Sequence, residues 1–135
     1  LSEHDIIVIH GNNPAVLIKE IKRAKTAENL KYIREKAQNL LKNYLEQGIP
    51  MVFTSNIISA INDAVTKQII KLSISELGQD PPTKFSWLAL GSQGRKEQLL
   101  MTDQDNALVF EDGDSENLNT TKSYFLKLSV LTISY

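Results

Sequence analysis

Three blocks of apolar residues, spaced three and four apart between Asn13 and Gly78, commit the first half of this chain to helices that pack on one another. That spacing lines one face of a 3.6-residue helix and would scatter over both faces of a strand. The first block is Leu17, Ile18, Ile21 and Ala24. It follows Pro14, whose missing N–H needs no partner in the first turn of a helix, and it predicts a helix over 13–24. The second block is Leu30, Ile33, Ala37, Leu40 and Tyr44, with Thr26 as its cap. Lys31, Arg34, Glu35, Lys36 and Lys42 take the other face, and Gly48 then Pro50 end the helix. The third block runs through Ile57, Ile58, Ile61, Val65, Ile69 and Leu72, from a start near Thr54 or Ser55 to a stop at Gly78. Three amphipathic helices with short connections predict an antiparallel bundle over 13–78.

The pattern breaks at Gln79-Asp80-Pro81-Pro82, a turn-rich stretch that reads as a linker over 79–84 and a domain boundary. Beyond it, Phe85 to Leu90 and Ala107 to Phe110 are short apolar and aromatic runs of the kind found in buried strands. Arg95 to Leu100 has room for one or two helical turns, and Glu111 to Asn119 is an acidic, polar loop. A last helix, capped by Thr120 or Thr121, is expected through Tyr124, Leu126 and Leu128. Residues 1–12, with the apolar run Ile6 to Ile9 and a turn at Gly11-Asn12-Asn13, read as a linker or a short strand. The expected class is therefore α+β, a helical segment followed by a strand-containing unit over 85–135.

At 135 residues and 41% apolar content the chain has material for one ordinary core or two small ones. A formal charge of -1, from 15 basic and 16 acidic residues, supplies no global field for a nucleic-acid polymer. The absence of cysteine excludes disulfides and thiolate metal sites, and fits a reducing compartment; the cytoplasm is the expectation. No apolar stretch approaches the roughly 20 residues that span a bilayer, so no membrane is expected as a partner. The first residue is Leu1 and the apolar stretch Leu126 to Tyr135 ends abruptly, so both ends are expected to be cut from something longer.

The chemistry concentrates in Leu90-Gly91-Ser92-Gln93-Gly94-Arg95, followed eight residues later by Asp103-Gln104-Asp105. Gly91 and Gly94 flank a tight turn just after a strand, where the lack of a Cβ lets backbone N–H groups approach an anion. Ser92 and Arg95 add a hydroxyl and a guanidinium, a donor set suited to a triphosphate. If Asp103 and Asp105 lie on a strand, both carboxylates share one face with Cα atoms about 6 to 7 Å apart. Such oxygen donors suit Mg2+, or Mn2+ in its place, with waters and phosphate oxygens filling the remaining positions. A pair of such ions activates an attacking oxygen and stabilises a leaving pyrophosphate.

The bland alternatives are an ordinary strand-to-helix loop for the glycines and a capping or turn role for the aspartates. Neither explains both motifs together. A Walker loop is excluded because Gly94 is followed by Arg95 and Lys96, and a nucleophile elbow at Ser92 because Leu90 stands where glycine is required. A calcium loop from Asp103 fails at Ala107 and Leu108. His4 and His10 have no partner at metal-ligand spacing. Asn62 and Asp63 read as a solvated face or a helix-to-core contact, and Phe85 and Trp87 as core.

The stretch FSWLALGSQGRKEQLLMTDQDNALVF resembles the nucleotidyltransferases of the DUF294 family, relatives of the bacterial PII signal-protein uridylyltransferases with a polymerase-beta-like fold. Gly91, Ser92, Gly94, Arg95, Glu97, Thr102, Asp103, Gln104 and Asp105 meet the family pattern, and Ile58-Ser59-Ala60-Ile61-Asn62-Asp63-Ala64 is similar to its preceding helical segment. The resemblance extends from about Asn13 to Leu128 and implies the first part of a nucleotidyltransferase mixed β-sheet core, truncated here. It implies that Gly91 and Ser92 hold the β and γ phosphates of an NTP and that Asp103 and Asp105 are catalytic metal ligands. Arg95 would contact phosphate or pair with Glu97, while Thr102 and Gln104 support the motif. The implied reaction moves an NMP to an acceptor hydroxyl, a protein one being an option, in signal transduction. Family members commonly carry CBS or cyclic-nucleotide-binding domains ahead of this region, and an oligomer is compatible with that plan. The fold usually adds a third carboxylate from a later strand, for which Glu111, Asp112, Asp114 and Glu116 are unconvincing, so the fragment alone is expected to be deficient in turnover. Thr102-Asp103-Gln104-Asp105 also resembles the Thr-Asp-x-Asp stretch of CBS domains, which gives a nucleotide-sensing regulatory module as the alternative; it leaves Gly91 to Arg95 unexplained.

Overall fold

The computed structural model describes residues 13–90 and 105–135. Helix α1 (Pro14–Arg23) opens on Asn13, whose side chain accepts a 3.0 Å hydrogen bond from the Val16 N–H, with proline in the first turn as the sequence requires. Lys22 and Arg23 in its last turn complement the negative end of the helix dipole. Helix α2 (Ala27–Glu46) is capped by Thr26, whose hydroxyl accepts from the Asn29 N–H at 3.1 Å. Its end is a Schellman turn. Gly48 adopts φ +76°, its N–H donates to the Leu45 carbonyl at 3.2 Å, and the Ile49 N–H reaches the Tyr44 carbonyl at 3.0 Å.

Helix α3 (Met51–Leu77) begins three or four residues ahead of the expected start at Thr54 or Ser55. Pro50, with φ -56° and extended ψ, leads straight into the helix, and its carbonyl accepts from the Phe53 and Thr54 N–H groups at 3.1 and 3.3 Å. Thr54 is therefore a buried first-turn residue whose hydroxyl turns back to that same carbonyl, and not a cap. The helix stops at Gly78, where φ is +70°.

The bundle core joins Leu17, Ile21 and Ala24 to Leu30, Ile33, Ala37, Leu40 and Tyr44 of α2 and to Ile61, Ala64 and Val65 of α3. Gln68 ties the corner between α1 and α2 to α3, its amide donating to the Ala24 carbonyl at 2.6 Å. That bond satisfies an acceptor which the end of α1 would otherwise leave buried and unpaired.

Strand β1 (Phe85–Leu90) pairs antiparallel with β2 (Asp105–Phe110), with Phe85 opposite Phe110 and Leu90 opposite Asp105. A short 3-10 turn (Ser115–Asn117) leads into α4 (Leu118–Ser134), which starts before the expected Thr120 or Thr121. Thr121 is not the cap, because it lies three residues inside this helix, where it is 3% exposed and faces the interior. A second core forms beneath the ribbon from Tyr124, Phe125 and Leu128, against which Ile74, Leu77, Phe85, Leu108 and Phe110 pack. Phe125 is its centre, stacked on Phe110 at 4.6 Å between ring centroids, tilted on Phe85 at 5.4 Å and met edge-on by Tyr124 at 5.3 Å. Among the described residues the architecture is α+β, three helices leading into a two-stranded antiparallel ribbon backed by a fourth. The helical turns expected over Arg95 to Leu100, and residues 1–12, lie outside the described residues.

Candidate functional site

The ribbon register gives the site its framework. β1 ends at Leu90, immediately ahead of Gly91, and Leu90 is the Cα partner of Asp105, the first residue of β2. Antiparallel pairing therefore brings the exit toward the glycine motif and the entry from the aspartate motif to one end of the ribbon. Asp105 is already a strand residue, whereas the apolar run marked the strand only from Ala107. Gly91, Ser92, Gly94, Arg95, Glu97, Thr102, Asp103 and Gln104 lie outside the described residues.

The two ribbon faces differ. Phe85, Trp87 and Ala89 are half-buried on the side of the helices, while Ser86, Leu88 and Leu90 alternate with them and are exposed. Leu88 is 42%, Leu90 46% and Val109 56% exposed, so the second face stays open. By register, the Asp105 position has the parity of Ala107 and Val109. Phe85 belongs to the second core, as expected, and Trp87 is half-buried.

The later carboxylates are carried away from this end. Glu111 follows the last residue of β2, its N–H donating to the Lys84 carbonyl at 2.9 Å, and Glu111, Asp112, Asp114 and Glu116 are all exposed. The run of β2 separates Glu111 from Asp105 by about 20 Å of strand. Among the described residues no group of three or more His, Asp or Glu could hold a metal ion. Grooves lined by described residues lie away from that end. A groove of about 780 Å³ between the end of α3, the linker and α4 is lined by Leu77, Gln79, Asp80 and Tyr124, and one of about 700 Å³ at the far end of the ribbon is lined by Phe85, Phe110 and Glu111. His4 and His10 are outside the described residues.

On the helices, Asn62 is 2% exposed and is an interior residue, whereas its neighbour Asp63 is exposed; only Asp63 fits a solvated face. Sequence spacing carried a hint of this, since Asn62 follows Ile58 by four and precedes Val65 by three. Three tyrosines titrate above the ordinary value. Burial raises Tyr44; burial and then the Asp80 charge raise Tyr124; burial and then Glu76, which accepts its hydrogen bond, raise Tyr135.

The model of the family described as Putative nucleotidyltransferase DUF294 matches residues 35–132. The chain belongs to the DUF294 family. No curated protein and no solved structure matches it. The match takes in most of α2, all of α3, both strands and nearly all of α4, so these elements of the DUF294 chain fall within one family unit, and α1 lies ahead of it. No helix among its described residues is long and apolar enough to cross a membrane.

Proposed function

We propose that this DUF294 chain carries the nucleotide and metal side of a site that transfers a nucleoside monophosphate from an NTP to an acceptor hydroxyl. The supporting observation is the pairing of Leu90 with Asp105, which sets the chain entering Gly91 beside the chain leaving Asp103 and Gln104. In this reading the N–H groups around Gly91 and Gly94, the Ser92 hydroxyl and the Arg95 guanidinium bind the phosphates. Glu97 orients Arg95, and Thr102 and Gln104 hold the turn into β2. Asp103 and Asp105 supply hard carboxylate oxygens of the kind that Mg2+ selects, with Mn2+ as a substitute. Bound there, the metal neutralises phosphate charge in the transition state and on the departing pyrophosphate. The acceptor oxygen attacks the α-phosphorus, the bond to pyrophosphate breaks, and the hydroxyl proton leaves to a base. A protein hydroxyl is the acceptor class favoured by the likeness to PII uridylyltransferases, with a place in signalling.

Trp87 is the sole tryptophan and sits three residues ahead of Leu90, so its fluorescence reports on this end of the ribbon. Titration with MgATP or MgUTP should give a saturable change that requires the metal. Asp103→Asn and Asp105→Asn should weaken it by more than the roughly 10- to 100-fold typical of losing an outer partner of a metal ligand. Both variants should keep the parent's unfolding midpoint and abolish turnover in the whole protein; unchanged turnover would sink the metal assignment. Equal binding of AMP or ATP with and without Mg2+ would instead indicate a nucleotide sensor.

A further inference from the structure

Helix α3 belongs to two cores at once. Ile61, Ala64 and Val65 are buried with α1 and α2, whereas Ile74 and Leu77, further along the same helix, pack on Tyr124, Phe125 and Leu128 beneath the ribbon. Two phenols fasten α4 to the end of α3. Tyr124 donates to the Gln79 carbonyl at 2.7 Å and Tyr135 to the Glu76 carboxylate at 3.2 Å. Tyr135 reaches the bundle as well, lining an open pocket of about 390 Å³ together with Ala27, Leu30 and Lys31 of α2 and Ile69 of α3. A two-stranded sheet is marginal alone, and among the described residues the ribbon rests on Tyr124, Phe125 and Leu128 of α4 and on Ile74 and Leu77 of α3.

We propose that the bundle and the ribbon are one cooperative unit, through which occupancy of the Leu90–Asp105 end is felt as added stability in α1 and α2. The ligand side of this inference rests on the nucleotide reading above; the mechanical side does not. A ligand that binds only the native form slows every exchange that requires the common opening by the same factor, and the effect is reciprocal. The three-helix segment is then a handle on the site. Anything that loosens α1 and α2 enough to populate the common opening lowers the fraction of chains competent to bind at the ribbon.

Native-state hydrogen exchange tests both sides. Leu17→Ala empties a fully buried position in the bundle, remote from the ribbon, and should speed the slowest amides of α3 by roughly a hundredfold. Cooperativity requires the slowest amides of β1, β2 and α4 to speed up by the same factor; unchanged ribbon rates would overturn the proposal. Gln68→Ala is a milder version, expected to act about tenfold on both parts through the lost bond to Ala24, and serves if the first variant does not fold. In the unaltered chain, saturating MgATP should slow α1 and α2 amides as much as ribbon amides. If Trp87 reports MgATP binding while the bundle keeps its rates, the coupling is refuted. If Trp87 reports no binding while Leu17→Ala still accelerates the ribbon, the nucleotide reading fails and the coupling stands.

Discussion

Gly48 shows how one residue sets a corner of this protein. With φ at +76° it lets α2 close its last carbonyls and turn into α3, and a Cβ built there would meet nothing within 4 Å. The cost of Gly48→Ala is therefore purely backbone, about 1 to 2 kcal/mol, and Gly48→Asn should recover part of it because asparagine tolerates that region. Urea unfolding of the two variants measures the difference. This residue, Gly78, Pro14 and Thr26 were all legible, because a cap or a positive φ is a demand made within a turn of the residue itself. Thr54 and Thr121 were misleading for the complementary reason. Both have the chemistry of a cap, but each is buried against the interior, and burial comes from residues far away in sequence.

Among the elements, α3 is where local pattern and tertiary role diverge. Its bundle stripe, Ile57, Ile61, Val65, Ile69 and Leu72, follows helical spacing closely. Its second stripe, Ile74 and Leu77, is too short to register as a period, and it matters only because α4 and the ribbon lie over it. Some of the polar residues buried along the helix find partners within it or at its neighbours, whereas the Ser59 hydroxyl has none among the described residues. Ser73 donates to the Ile69 carbonyl at 2.8 Å, and Gln68 serves α1. In α4, apolar character alone does not identify what carries the fold. Phe125 is buried among three rings, whereas Leu126, Val130 and Ile133 are exposed. Phe125→Ala should cost about 3 to 5 kcal/mol. Leu126→Ser, one position on, should change stability by no more than about 0.5 kcal/mol. Equal losses in thermal unfolding would contradict the position of the second core.

For the molecule as a whole, the shifted tyrosines give stability a direction with pH. Tyr44, Tyr124 and Tyr135 all hold their protons more tightly when folded than at the ordinary value of about 10. The native state then binds more protons than the unfolded one across the interval above that value. Stability from these groups is intact below about pH 10 and is lost as pH rises through the raised pKa values. Thermal unfolding followed against pH should fall in step with phenolate absorbance, and Tyr44→Phe should soften the fall; a loss beginning near neutrality would point to other groups.

Taken alone, the sequence determined the three helices of the bundle, their caps at Thr26 and Gly78, the break at Gln79 to Pro82, and the chemistry available at Gly91 to Asp105. These are matters of period, cap and residue type, each decided by neighbours a few positions apart. The tertiary structure alone decided that Leu90 stands opposite Asp105 and that one helix serves two cores. Those outcomes depend on which surfaces bury one another after loops have closed, a balance of packing against chain entropy that no local pattern records.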